Sequence, residues 1–505
     1  MTSPPPTSPG ATHQHVEVRP GAYADSVTLL QVSKDVAGAP GVSRAQVAMA
    51  TPLNLEVLEQ MGFELPPTTT NDMVVALMLD DEDALPGALA AVGAALAAST
   101  RRREGSAELA PARTTGRALA EGGADLALVS VPGQHALVEA VDALDADRDV
   151  MIFSDNVPVE QEVALKDLAT ARGLLVMGPD CGTAVVGGVG LGFANTTASG
   201  PVGIVAASGT GCQQLMCLLE AAGVGVAAAL GVGGRDLGSV VAGRSTRTAL
   251  QRLDADPAVE LVVVVSKPPA PEVAADLRAL AATLATPVHF ALLGDGQPDL
   301  TEAAEAVLGA LGHDVPTWPT WGATGAGTPG TSGFLRGLFV GGTLCDEAML
   351  VAAHDLGPVR SNIPLSPELA LDGSLRADAH TMVDFGDDSL TAGRAHPMID
   401  PTLRLEHLAR AAADPTTACL LMDVVLGHGA EPDPAGALAP AVRDAIATAR
   451  AAGRDLPVVI ACVGTELDPQ HLSRQAATLA EAGAEVHLSN ARATRRAVAL
   501  TGGPR

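Results

Sequence analysis

Residues 200–236 read GPVGIVAASGTGCQQLMCLLEAAGVGVAAALGVGGRD, and the order of apolar and small residues here decides the fold. Residues 202–207 (VGIVAA) are a short apolar run with β-branched members, the pattern of a strand buried in a parallel sheet. Ser208, Gly209, Thr210 and Gly211 turn the chain, and 212–222 continue with helical spacing, so that Leu215, Leu218, Leu219 and Ala222 share one face. A strand that ends in a small-residue turn and opens a helix points free N–H groups and a positive dipole end at one spot. That spot suits a phosphate or carboxylate. A second strand at 224–230 ends in Gly231, Val232, Gly233, Gly234 and Arg235, at the sheet edge where open α/β folds bind ligands. Either turn alone is an ordinary strand–helix connection that needs glycine anyway. The pair, with Arg235, points to a ligand site.

Working outward, 505 residues are too many for one core, and about three or four domains are expected. Although 47% of residues are hydrophobic, the strongest run, 261–265, is followed at once by Ser266-Lys267-Pro268-Pro269. No stretch reaches the roughly 20 apolar residues of a spanning helix, so no membrane partner is expected. The start, MTSPPPTSPGATHQH, lacks the basic and apolar parts of a signal peptide; 1–20 read as a disordered tail, and the expected location is cytoplasmic. A net charge of −27 argues against nucleic acid as partner. Six cysteines without a C-x-x-C pair read as reduced thiols, with neither a disulfide framework nor a metal site.

Along the chain, 24–98 read as a small N-terminal α/β unit, ferredoxin-like, with strands at 26–32, 45–50 and 73–79 and helices at 54–61 and 84–98. Residues 99–117 read as a linker. From 118 strands and helices alternate: strands at 126–131, 150–154 and 174–177, helices at 134–143 and 159–172, a unit running to 198. The next unit, 200–311, adds strands at 261–265 and 288–293 and a helix at 272–284. Such alternation means a parallel sheet with helices on both faces. Residues 312–333, rich in Gly, Pro and Thr, read as a second linker. A last α/β domain, 334–500, has strands at 338–340, 382–385, 418–425, 458–462 and 486–488.

Gly178-Pro179-Asp180-Cys181-Gly182, then GPVGIVAASGTG, then GVGGRD resemble the α subunit of succinyl-CoA synthetase, as do Val131-Pro132 and Asn156-Val157-Pro158. Residues 334–500 resemble the C-terminal ligase domain of its β subunit, through Gly341-Gly342-Thr343, Asp384-Phe385-Gly386 and Val424-Val425-Leu426-Gly427-His428-Gly429. Both pieces fused without an ATP-grasp domain resemble the FdrA-type acyl-CoA-synthetase-like proteins. The implied fold is α/β: Rossmann-like and flavodoxin-like parallel-sheet domains of the succinyl-CoA synthetase type. The resemblance also implies CoA as cofactor and a phosphohistidine loop. The matching stretch here, GDGQPDLTEAAEAVLGAL, has no histidine, and the first glycine-rich turn of a CoA-binding domain is missing near Val131. What the family pattern retains is a phosphoryl cradle of two helix N-termini, placed by correspondence at Ser208–Gly211 and Gly427–Gly429.

Candidate chemical groups follow, each with a plainer alternative. Arg394 is able to clamp an anion and His396 to act as general acid or base; a solvated loop with a structural His396–Asp400 bond is the alternative. His428 lies in the second anion turn, as phosphoryl acceptor or spectator. Gly342 and Thr343 open a helix, and Gly386 and Asp387 end a strand, as further ligand-binding backbone; Asp387 and Asp388 are able to hold Mg²⁺, with plain exposed turn residues as the alternative. Cys345 and Cys181 read as buried small hydrophobes. His13 and His15 belong to the tail, and His289 and His487 to strands.

Three functions fit. One is a subunit, acting with separately encoded partners in an oligomer, that transfers an acyl or carbamoyl group through a phosphate anhydride. For it the resemblance implies oxamate carbamoyl transfer in ureide breakdown, with phosphate or carbamoyl phosphate as ligand. The second is a nucleotide-dependent acyl-CoA ligase using His428. The third is a non-catalytic sensor with 24–98 as its sensing unit.

Overall fold

The computed structural model describes residues 13–22, 24, 26–103, 112–322, 333–391 and 395–501. The chain divides into two compact units, Met1–Pro111 and Ala112–Arg505.

The first unit holds β1 (His13–Arg19), α1 (Ser26–Ala37), β2 (Val42–Met49), α2 (Pro52–Gln60), β3 (Met73–Leu79) and α3 (Leu85–Arg103). Its described strands form an antiparallel sheet in the order β1-β3-β2. The central strand MVVALML is apolar throughout because both faces are covered: Val75, Leu77 and Leu79 pack with Leu29, Val32 and Val92, while Val74 and Ala76 pack with Leu58 and Phe63. Two expectations are corrected here. Residues 26–32 are helix, not strand; Leu29, Val32 and Val36 recur at helical spacing and are the buried positions. His13–Arg19 is not tail but an edge strand, its polar sequence recruited by the backbone of β3 in register from His13 opposite Leu79 to Arg19 opposite Met73. The linker expected at 99–117 is also shortened, since α3 runs through Arg103 and α4 (Thr115–Gly122) follows; 104–111 lie outside the described residues.

The second unit contains three sheets. A three-stranded parallel sheet is built from β4 (Leu126–Val129), α5 (Gly133–Asp145), β5 (Asp149–Ile152), α6 (Val159–Ala171) and β6 (Val176–Met177). The next elements are β7 (Thr183–Val186), β8 (Val189–Gly192), β9 (Val202–Ala207), α7 (Gly209–Ala221), β10 (Val226–Gly231), α8 (Arg244–Asp254), β11 (Leu261–Ser266), α9 (Pro271–Ala281), β12 (Val288–Leu292) and α10 (Leu300–Ala310). They give a six-stranded sheet in the order β12-β11-β9-β10-β7-β8. The hairpin 183–192 therefore belongs to this sheet and not to the preceding unit; β7 pairs antiparallel with β10.

The last sheet uses β13 (Thr320–Trp321), β14 (Phe334–Phe339), α11 (Gly342–Leu356), β15 (Arg360–Ser361), β16 (Thr381–Asp384), α12 (Asp388–Thr391), α13 (Thr402–Ala413), β17 (Thr417–Val425), α14 (Pro434–Ala451), β18 (Val458–Val463), α15 (Leu472–Glu481), β19 (Glu485–His487) and α16 (Asn490–Leu500). Its order is β13-β19-β18-β17-β14-β16-β15, parallel except for β13. The described part of the second expected linker is anchored: Trp318 is buried, its Nε1 donates to Glu305, and β13 pairs with β19; 323–332 lie outside the described residues.

The second and third sheets share one core, because α7 is clamped between them. Every residue from Gly211 to Leu219 is buried, including two glutamines. Those amides are satisfied across the junction: Gln213 donates to Asn195 and to the Leu426 carbonyl, and Gln214 donates to the Leu488 carbonyl and accepts from the Asn490 N–H. A buried polar group costs stability only when left unpaired.

Candidate functional site

Helix α7 follows β9 and helix α11 follows β14, and their first turns meet. Ser208 caps α7, its Oγ accepting from the Gly211 N–H, and the same hydroxyl donates to Thr343 Oγ1 at 2.7 Å. A Cβ on Gly341 would lie 2.9 Å from Thr210 Cγ2, so only glycine lets the two turns touch. The start of α11 has no side-chain cap; Asp423 instead accepts from the N–H groups of Val340 and Gly341. Asp423 in turn is held by the buried Arg404, which also donates to the carbonyls of Leu338 and Asp423. Gly209, Thr210 and Gly342 are the half-buried residues of this junction, so their backbone is reachable by a ligand.

Charged groups gather at the same edge. Lys267, directly after β11, has Nζ 3.7 Å from Asp346. A Cβ on Gly342 would lie 2.8 Å from Asp384 Oδ2 and 3.0 Å from Lys267 Nζ. Burial works against the charge on Lys267, but Asp346, Asp384 and Asp180 outweigh it and hold its pKa above the ordinary value. Burial pushes Asp384 up to about 7, with Lys267 opposing, and pushes Asp180 up to about 6, with Asp388 adding to the rise. A cation and carboxyls of raised pKa therefore sit beside two helix N-termini, an arrangement suited to an anion and, through Asp384, to proton transfer.

The candidate residues divide around this junction. Ser208, Gly209, Thr210, Gly211, Gly342 and Thr343 are brought together at it. Gly386 is close, since a Cβ there would lie 2.7 Å from His396 Nε2. His396 packs at a tilt against Phe193, with ring centroids 5.4 Å apart, and burial lowers its pKa to about 4, which makes it a neutral imidazole at neutral pH. Asp387 accepts from the Ser389 N–H and hydroxyl at the start of α12. Arg394 lies outside the described residues.

Other candidates are engaged elsewhere. Gly427 and Gly429 do not open a helix; α14 begins only at Pro434, and a Cβ on Gly427 would lie 2.6 Å from the Ala194 carbonyl oxygen. His428 is exposed and contacts Thr196 Oγ1 at 3.2 Å. The second converging helix start is that of α11. Gly233, at φ +88°, permits a close approach to the Pro179 carbonyl, while a Cβ on Gly234 would meet only Asp180 Oδ2, at an ordinary 3.7 Å. Arg235 does not close over the Ser208 turn; it donates to the Val157 carbonyl and pairs with Glu162 at 2.8 Å. Glu162 also pairs with Lys166, which is fully buried and bonded to Asp236 as well. Gly209 is not at positive φ, and a Cβ there would meet only Thr183 Oγ1 at 3.5 Å, so its value is not conformational. All six cysteines are buried free thiols, and burial pushes Cys181 up to about 12.

Lys267 is the candidate group at this junction that the sequence alone does not single out. One signal was available: the chain has only three lysines (Lys34, Lys166, Lys267), and Lys267 closely follows the strongest apolar run, 261–265. No helix among the described residues is long and apolar enough to cross a membrane.

Two family models match parts of this chain. The CoA-ligase family model matches residues 338–500, and that of the AllF heavy metal-associated domain matches 12–111. The first cysteine after that match is Cys181. The α subunit of succinate–CoA ligase (ADP-forming) from Aquifex aeolicus is 28% identical over 160 residues, 30% of this chain and 51% of the relative, so this chain spans about half of that protein. A dinucleotide-forming acetyl-coenzyme A synthetase 1 from Ca. Korarchaeum cryptofilum, solved with phosphate and ADP, is 16% identical over 75% of this chain and 84% of its own, with a TM-score of 0.29. The uncharacterised protein YahF of Escherichia coli (strain K12) is 38% identical over 493 residues, 93% of this chain and 95% of the relative. The chain belongs to the family of YahF, with a CoA-ligase domain at its C-terminal end and an AllF-type heavy metal-associated domain at its N-terminal end.

Proposed function

We propose that this protein is a subunit of an acyl- or carbamoyl-transferring enzyme that handles an acyl-phosphate-type intermediate where α7 meets α11. The specific reaction we assign is oxamate carbamoyl transfer in allantoin breakdown: oxalurate and phosphate give oxamate and carbamoyl phosphate. A phosphate oxygen attacks the terminal carbamoyl carbon, the bond from that carbon to the oxamate nitrogen breaks, and the nitrogen takes a proton. The observation that carries this reading is the joining of two helix N-termini beside Lys267. Preorganised N–H groups and a cation stabilise charge developing on a phosphoryl oxygen. Asp384, held near neutral pKa by burial, is suited to deliver the proton to the leaving nitrogen. A carbamoyl group passed directly from the oxamate nitrogen to phosphate needs no phosphohistidine, in keeping with the histidine-free loop after β12. The AllF-type match over 12–111 points to the same pathway. Partner subunits encoded separately and an oligomeric assembly belong to this proposal.

The CoA-ligase match favours one second reading, a nucleotide-dependent acyl-CoA ligase. The test is to incubate the protein, with its co-purifying partners, with oxamate and carbamoyl phosphate and to follow phosphate release and oxalurate. Oxamate-dependent release that disappears in Lys267→Met supports carbamoyl transfer. Acyl-CoA formation from ATP, CoA and a carboxylate, without oxamate-dependent release, would replace it with the ligase reading.

A further inference from the structure

A cavity of about 260 Å³ lies in the C-terminal domain, away from the α7–α11 junction. Its walls come from β14 and β16 (Arg336, Leu338, Thr381, Val383), from α13, and from the loop at 375–378. The junction lies at the C-terminal ends of the same strands, at Gly341 and Asp384, and Asp384 projects to the face opposite Val383 because successive strand residues alternate.

The lining has two halves. Leu338, Val383, Leu375 and Ala411 make an apolar floor, while three arginines, Arg336, Arg376 and Arg410, outnumber two aspartates, Asp378 and Asp414. That excess matters in a chain of net charge −27, which repels anions from most of its surface. Arg336 is buried and fixed, donating to the carbonyls of Ala377 and Ala379 and lying 3.6 Å from Asp414. Arg376 and Arg410 are exposed at the rim; the pair of Arg410 with Glu406, 3.5 Å apart, is solvent-exposed and easily exchanged. His407 supplies a further wall, its ring edge-on to Phe385 at 5.1 Å, and burial and Arg410 hold it below its usual pKa, so it remains neutral. Leu375 takes φ +56°, a conformation that a bulky residue adopts only when its surroundings compel it, and the result is an apolar side chain in the cavity wall.

We infer that this cavity is a binding site for a small organic acid, its carboxylate at Arg376 and Arg410 and its short aliphatic body on Leu338, Val383 and Ala411. An apolar floor with guanidinium groups at its rim suits an amphipathic anion, and the planar fork of arginine matches a carboxylate.

The test is calorimetry on the full chain with hexanoate as probe and hexan-1-ol as its neutral counterpart. Hexanoate should bind saturably and hexan-1-ol should not. The double variant Arg376→Ser/Arg410→Ser should raise the Kd for hexanoate at least about tenfold, the effect of losing a charge-assisted contact. Ala411→Leu, which fills the floor, should abolish binding, whereas Lys267→Met, at the other site, should leave it unchanged. No saturable heat up to about 10 mM hexanoate, weaker than useful recognition, would overturn the inference. So would binding that survives both cavity variants or is lost with Lys267→Met.

Discussion

The starts of α7 and α11 are built from the same kind of sequence, Ala-Ser-Gly-Thr-Gly after one buried strand and Val-Gly-Gly-Thr after another, yet they do different work. Helix α7 begins with a side-chain cap, is buried all round, and uses its polar side chains to pin two sheets together. Helix α11 begins without one; its first turn is positioned from behind by Asp423 and faces Lys267 and Asp384. A glycine-rich turn after a strand is thus a statement about backbone approach. Whether it also binds an anion depends on which charges the rest of the fold delivers to it.

That contrast breaks most completely at Asp423. Asp423→Ala should destabilise the protein by about 3–5 kcal/mol, because it leaves the buried Arg404 unpaired as well as freeing the start of α11. Denaturant unfolding checks this.

A smaller loss is expected at α7. A Cβ on Gly211 would lie 2.4 Å from Ser208 Oγ, so Gly211→Ala should disrupt the cap and cost about 1–2 kcal/mol. Gly209→Ala, two residues earlier, should stay within about 0.5 kcal/mol of the parent, since its Cβ meets only ordinary contact. Equal melting temperatures for the two variants would contradict this account of the turn.

Asp384 sharpens the contrast through pH. Its pKa rises from 3.8 to about 7 on folding, so the folded state holds a proton that the unfolded chain has lost. Stability should therefore fall as pH climbs through that window and level off above it. Asp384→Asn retains an acceptor for the Gly386 N–H and should flatten the curve. Parallel pH–stability curves for parent and variant would show that Asp384 is not the group responsible.

Much of the α/β organisation was readable because buried parallel strands declare themselves: 202–207 is strand to the residue, and 261–265 and 288–293 come within one. Edge elements were not readable. β1, with its HQHVEVR sequence, and β13, within a Gly/Pro/Thr-rich segment, owe their pairing to a neighbouring strand and not to their own composition. Residues 26–32 misled because two adjacent pairs, Val27-Thr28 and Leu29-Leu30, mask a helical period. At the site, the turns could be found from glycine and serine, but the choice between Gly427–Gly429 and Gly341–Thr343 as the second helix start depends on where the next helix begins. The importance of Lys267 depends on three carboxylates supplied by β16, α11 and the 178–181 loop, a juxtaposition that only the folded chain creates.

The central claim is that an anion sits where α7 and α11 meet, held by backbone N–H groups and Lys267. Its most direct measurement is the shift in melting temperature produced by inorganic phosphate in the parent, Gly209→Ala and Lys267→Met. Phosphate should raise the melting temperature of the parent and of Gly209→Ala alike. In Lys267→Met the shift should need about ten- to a hundredfold more phosphate, as loss of a charge-assisted contact worth roughly 1.5–3 kcal/mol requires. An identical shift at the same phosphate concentration in all three proteins would place the anion elsewhere and reduce the junction to scaffold.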